Sequence, residues 1–155
     1  MKQFQFKLQS VLQLRERVET EAQQMHAAAG RRLEAILSEL AEAEAEHKSL
    51  AEQLQNMQKS TFRPAERDML WNALKYQKDH CGRLQQKADI AVKDLEEKRD
   101  KLLQAQSDRE AMVKLQEKEQ IEHNRQAENE ERAMVDDISS ARHTARQRDA
   151  SRTDS

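Results

Sequence analysis

Pro64 is the only proline in 155 residues, and on each side of it apolar residues recur at steps of three and four. A proline in a helix interior removes a backbone donor and clashes with the preceding turn, so one straight helix through this point is disfavoured. Alternating steps of three and four mark a heptad seam, the single stripe that a coiled-coil helix buries against a partner. Two such stretches joined at a proline predict an all-α fold. The architecture expected is a long antiparallel two-helix coiled-coil hairpin, with the second helix overhanging the first.

In the first stretch the seam runs through Phe4, Leu8, Val11, Arg15, Val18, Ala22, Met25, Ala29, Leu33, Ile36, Leu40, Ala43, His47, Leu50, Leu54 and Met57. Met25, Ala29 and Leu33 are spaced four and four, which predicts a stutter near Gly30 and a local unwinding of the supercoil. The second stretch runs through Leu70, Leu74, Gln77, Cys81, Leu84, Ala88, Ala91, Leu95, Lys98, Leu102, Ala105, Arg109, Met112 and Leu115, then thins out. Folding about residues 61–63 sets Leu40 against Leu84, Leu54 against Leu70 and Leu8 against Leu115. It also sets Gly30 and Ala27–Ala29 against 88–92, small residues against small. The expected boundaries are helix 1 at about 4–59, a turn at 60–63 and helix 2 at about 64–140. Residues 1–142 thus form one hairpin, and 143–155 a frayed or disordered tail. Ser60 and Thr61 are candidate caps ahead of Pro64, which suits a first helical turn.

Composition narrows the function. Charged residues make up 36 % of the chain and aromatics 3 %, and acids and bases nearly cancel at a net charge of −2. A general nucleic-acid binder would carry a basic bias, so no nucleic-acid partner is expected. No apolar run reaches membrane-spanning length, which predicts a cytoplasmic protein without direct membrane insertion. The single cysteine, Cys81, lies on the seam and excludes a disulfide framework or a multi-cysteine metal site. His26, His47, His80, His123 and His143 are scattered, with no zinc spacing, and no glycine-rich phosphate loop occurs. No cofactor, no metal and no enzymatic activity are expected.

Apolar residues off the seam are the more specific signal. Met69, Ala73, Tyr76 and His80 form a second stripe just after the turn, flanked by Trp71, Leu70 and Leu74. A two-stranded coil buries one stripe per helix, so a second either pads the hairpin tip or binds a partner. The only Trp and Tyr sit here, residue types that anchor interfaces. At the open end, Phe4, Phe6, Val11, Leu12 and Leu14 make the first helix apolar on several sides. They either staple onto the second helix near Leu115 or insert into a receptor.

Three stretches resemble one family in order and spacing, the FliJ proteins of flagellar type III export. FQFKLQSVLQLRERVETEA (4–22) has the spaced Phe and Leu followed by Leu-Arg-Glu; KADIAVKDLEEKRDKL (87–102) is similar to the second-helix core. MVDDI (134–138) resembles a late acidic motif, with Asp137 where Glu is more usual. The resemblance implies a non-enzymatic stalk whose open end enters the hexameric export ATPase and promotes its assembly and activity. It also implies contacts with an export-gate membrane protein and with export chaperones, at the inner membrane. On that resemblance the gate contact falls on Met69, Ala73, Tyr76 and His80. The ATPase contact falls on Phe4, Phe6, Val11, Leu12, Leu14, Asp136 and Asp137. The isolated chain is expected to be a monomer in dilute solution. Other readings of the same residues are the equivalent stalk of a virulence secretion system, a generic coiled-coil adaptor, a nucleic-acid-binding arm, and a membrane-shaping helix.

Overall fold

The computed structural model describes residues 2–154, which form two helices: α1 (Gln9–Met57) and α2 (Pro64–Thr153). Among the described residues there is no strand and no cis peptide bond, and both glycines keep ordinary helical backbone. The chain divides into two compact units, one of residues 17–107 and one of 1–16 with 108–155.

In the unit of residues 17–107, α1 and α2 pair antiparallel around the turn. Leu40, Ala43 and Leu84 form a buried cluster with Cys81 packed on it, the pairing that folding about residues 61–63 predicts. Leu84 is the most buried of these, at 2 % exposure. The amides of Gln58, Lys59 and Ser60 bond back to the carbonyls of Leu54, Asn56 and Met57, which closes α1. The Arg63 carbonyl accepts from the Glu66 and Arg67 amides, so Arg63 rather than Ser60 or Thr61 stands where α2 starts. Pro64 at the first helical position loses no hydrogen bond by lacking an N–H. Gln77 is a buried amide on an otherwise apolar seam, and its Nε2 donates to the Ala43 carbonyl at 3.2 Å. A polar group buried with one specific partner resists slippage of the two helices, because any shift would leave it unpaired.

The first seam differs from the one expected. Val18 and Met25 are exposed, at 40 % and 59 %, whereas Glu19 is buried and His26 half-buried. The stripe therefore runs Glu19, Ala22, His26, Ala29, Leu33, Ile36, Leu40, in unbroken steps of three and four. No stutter interrupts it near Gly30. The expected pairing of Gly30 and Ala27–Ala29 with residues 88–92 is not what the structure shows: Leu95 lies across from Gly30, although Ala29, Ala88 and Ala91 are each buried. Gly30 is therefore not required by a close approach of small residues. A Cβ added there would have Leu95 Cδ1 as its nearest neighbour at 4.0 Å, and one added at Gly82 would meet nothing within that range.

These two glycines therefore give a stability prediction. Glycine in a helix interior costs about 0.8–1 kcal/mol relative to alanine through backbone entropy. Gly30→Ala and Gly82→Ala should each raise stability by roughly that amount, measured as an upward shift of the helical melting transition.

In the unit of residues 1–16 and 108–155, the start of the chain is not helical. Residues 2–6 have no regular secondary structure, and the Gln9 amide bonds to the Phe6 carbonyl at 3.2 Å, so α1 begins at Gln9 rather than at residue 4. Phe6 and Leu12 are buried, and Phe4 meets the His123 ring edge-on with centroids 5.5 Å apart. Gln116 donates to Gln9, and Arg15 pairs with Asp108 at 3.5 Å. The second seam thus continues past Met112 through Gln116, Glu119, His123 and Ala127, all half-buried, instead of ending at Leu115. From Glu128 to Asp154 every described residue is exposed. The helix nevertheless persists to Thr153, where the sequence reading ends it near 140 and frays 143–155. Ala, Arg and Gln favour helix, and Thr144 turns its hydroxyl back onto the Ser140 carbonyl instead of competing with the backbone.

Candidate functional site

Among the described residues no group of three or more His, Cys, Asp or Glu side chains could hold a metal ion. No helix is long and apolar enough to cross a membrane. What the fold presents is side chains held outward on paired helices.

The first such surface lies on the opening turns of α2. Met69 and Tyr76 are exposed, at 74 % and 64 %, while Ala73 and His80 are half-buried at the flank of the seam. Tyr76 and His80 stack nearly parallel, with ring centroids 6.3 Å apart and planes 8° apart. The Arg83 guanidinium lies 5.8 Å from the centre of the same Tyr76 ring. Arg83 continues the spacing 69, 73, 76, 80 by a further three residues, a periodic signal that reading the apolar residues alone passes over. Both neighbours contact the Tyr76 ring while most of it stays in solvent, and pre-ordered aromatic groups lose less entropy on binding. Nearer the turn, Met57, Met69, Leu70 and Ala73 line an open cleft of about 650 Å³ bordered by Gln53, Asn56, Ser60 and Glu66. Trp71 lies outside it and is 56 % exposed. Phe62 in the turn carries the Arg67 guanidinium 5.9 Å from its ring centre.

Because Met69 and Tyr76 spend so little surface on the fold, removing them should not loosen it. Met69→Ala with Tyr76→Ala is expected to change stability by less than about 1 kcal/mol, within the range of exposed substitutions. Melting followed by circular dichroism tests this, and an early transition would mean that the stripe pads the tip.

The second surface is in the other unit. Of the apolar residues that open the chain, Phe6 and Leu12 are turned in, Phe4 and Val11 are half-buried, and Leu14 is exposed. The structure therefore sets Phe4 against His123 of α2 and buries Phe6, rather than leaving them around a free helix end. The signal for this was the two-residue spacing Phe4-Gln5-Phe6, the period of an extended segment with one face buried. Asp136 and Asp137 are exposed on the helix beyond Ala127, with Met134, Val135 and Ile138 exposed beside them. They are not near Phe4, Phe6, Val11 or Leu12 in the chain's paired part. Residues 128–153 form a single helix about 39 Å long, at 1.5 Å per residue.

Both surfaces lie within the part of the chain that a known family covers. The family model described as Flagellar FliJ protein matches residues 4–148. Among curated proteins and among solved structures, nothing matches the chain.

Proposed function

The chain belongs to the FliJ family and is a component of the flagellar type III export apparatus, and from that premise we propose that it serves there as a non-catalytic stalk. One end of the stalk enters the ring of the hexameric export ATPase and promotes its assembly and hydrolysis. The tip surface contacts the export-gate membrane protein, and the paired helices receive export chaperones, at the cytoplasmic side of the inner membrane.

The observation that carries this reading is the helix of residues 128–153, exposed on every side yet continuous with the paired part of α2. A projecting helix can occupy the axis of a ring and be gripped by side chains around it without supplying chemistry. Within this reading Leu14, Asp136 and Asp137 meet the ATPase directly. Phe4, Phe6, Val11 and Leu12 clamp the base from which the helix projects. Met69, Ala73, Tyr76 and His80 meet the gate, with Arg83 holding the Tyr76 ring.

Affinity purification of the tagged chain from cells of its own source tests the partner assignments together. The full chain should retain an export ATPase and a gate protein. Met69→Ala with Tyr76→Ala should lose the gate protein by ten-fold or more and keep the ATPase, since removal of aromatic anchors typically costs 2 kcal/mol or more of binding. Retention of the gate protein at wild-type levels would remove the tip from the proposal.

A further inference from the structure

We infer that the exposed stretch of α2 beyond Ala127 is a self-complementary surface on which two copies of this chain pair antiparallel. Every residue from 128 to 154 is exposed, yet the stretch is not featureless. From Ala127 onward a second heptad stripe runs through Glu131, Met134, Ile138, Ala141, Ala145, Arg148 and Arg152, in unbroken steps of four and three. It begins at Ala127, where the half-buried positions of the intramolecular seam through Gln116, Glu119 and His123 end, and every described residue beyond that point is exposed. The stripe therefore carries the same face of α2 onward past its intramolecular partner.

In an antiparallel coil each layer sets one seam position of a helix against the alternate seam position of its partner. Here one register satisfies every layer at once: Ile138 against Ala141, Met134 against Ala145, Glu131 against Arg148, and Ala127 against Arg152. The two-fold axis repeats each layer once, as an isologous interface requires. The large residues of one copy meet alanines of the other at the centre, and Glu131 meets Arg148 in the next layer outward. The charge distribution favours the same arrangement. Glu128, Glu130, Glu131, Asp136 and Asp137 against Arg132 leave 128–137 at net −4, and Arg142, Arg146, Arg148 and Arg152 against Asp149 leave 142–152 at net +3. Antiparallel pairing lays the acidic segment of each copy along the basic segment of the other, whereas parallel pairing would set like against like. Glu128 falls near Asp149 of the second copy, and only Met134 and Ile138 are large. The dimer is accordingly weak, with a dissociation constant on the order of 0.1 mM, as suits a small interface. Such pairing leaves the chain monomeric when dilute. Where the chain is concentrated, it covers the stretch assigned above to the ATPase.

Sedimentation equilibrium of the full chain at low ionic strength, from about 10 µM to about 500 µM, tests the inference across that dissociation constant. A mass rising toward that of a dimer is expected. Ile138→Asp, and separately Glu131→Arg, should abolish the rise, because each damages a layer that the two-fold axis duplicates. Glu131→Arg combined with Arg148→Glu restores the charge pairing and should restore the dimer, which an unspecific association would not do. All these positions are exposed, so circular dichroism of the variants should match the parent. A mass that stays monomeric at 500 µM overturns the inference, as does a dimer that survives Ile138→Asp or a charge exchange that fails to rescue. None of these outcomes depends on whether the chain binds an ATPase.

Discussion

Leu40→Asp is expected to abolish the helical pairing of residues 17–107 at ordinary temperatures. Leu40 is 7 % exposed and packs with Ala43 and Leu84, itself 2 % exposed, with Cys81 beside them. An aspartate here would lose the apolar contacts of the leucine and bring a carboxylate into a site with no cation in the cluster. Burying an unpaired charge is among the few changes that cost upward of about 3 kcal/mol. A two-helix coil has a single seam and no second core to absorb the loss, and total stabilities are only about 5–15 kcal/mol. Circular dichroism should show the melting transition falling by tens of degrees, or loss of a cooperative transition altogether. Leu37→Asp, a leucine three residues away but 47 % exposed, should leave melting nearly unchanged and so serves as the control.

A chain that ends at Ala127 should remain folded and lose its effect on the export ATPase. The paired part is complete at that point: Phe4 rests on His123, Gln116 holds Gln9, and the half-buried positions stop at Ala127. Removing 128–155 deletes, among the described residues, only exposed ones, so the melting transition of the pairing should stay within a few degrees of the full chain. What disappears is the projecting helix with Asp136 and Asp137, which the stalk reading assigns to the ring. A shorter chain ending at Glu119 would be a poorer test, because it would also remove His123 from beneath Phe4 and loosen the base. Contacts made by charged side chains on an exposed helix are screened by salt. Binding of the full chain to the ATPase should therefore weaken as ionic strength rises, while the hairpin itself, held by an apolar seam, should not.

Sequence and structure agree best where leucine and alanine alone mark the spacing. The seam of α2 from Leu70 to Met112 is legible because its polar members, Gln77, Lys98 and Arg109, are bracketed by apolar ones that hold the period. The turn is legible from Pro64. The start of α1 is not, because Val18 and Met25 draw the seam one position away from Glu19 and His26, residues whose polarity hides their place. Counting back in strict steps from Ala29 recovers them and removes the stutter; apolarity was the weaker guide. The non-helical start of the chain is hidden for a related reason. Phe4 and Leu8 are four apart and so fit a helix, yet Phe4 and Phe6, two apart, are the pair that turns inward. The persistence of α2 to Thr153 follows from helix-forming side chains without any packing to reveal it, so no periodic burial pattern could have announced it.

For the tip, spacing located Met69, Ala73, Tyr76 and His80 but left open whether they pad the fold or face a partner. The exposure of Met69 and Tyr76, and the contacts of the Tyr76 ring with His80 and Arg83, supply what periodicity lacks. Phe4, Phe6, Val11, Leu12 and Leu14 look alike as a cluster of apolar letters, yet they divide in the structure into a buried clamp and one outward leucine.

Phosphate release by the cognate export ATPase, measured alone, with the full chain and with the chain ending at Ala127, tests the stalk reading most directly. The full chain should raise the rate several-fold and show no hydrolysis by itself, and the shortened chain should leave the ATPase at its basal rate. Equal stimulation by the shortened chain, or none by the full chain, would contradict the assignment of residues 128–153 to the ATPase ring.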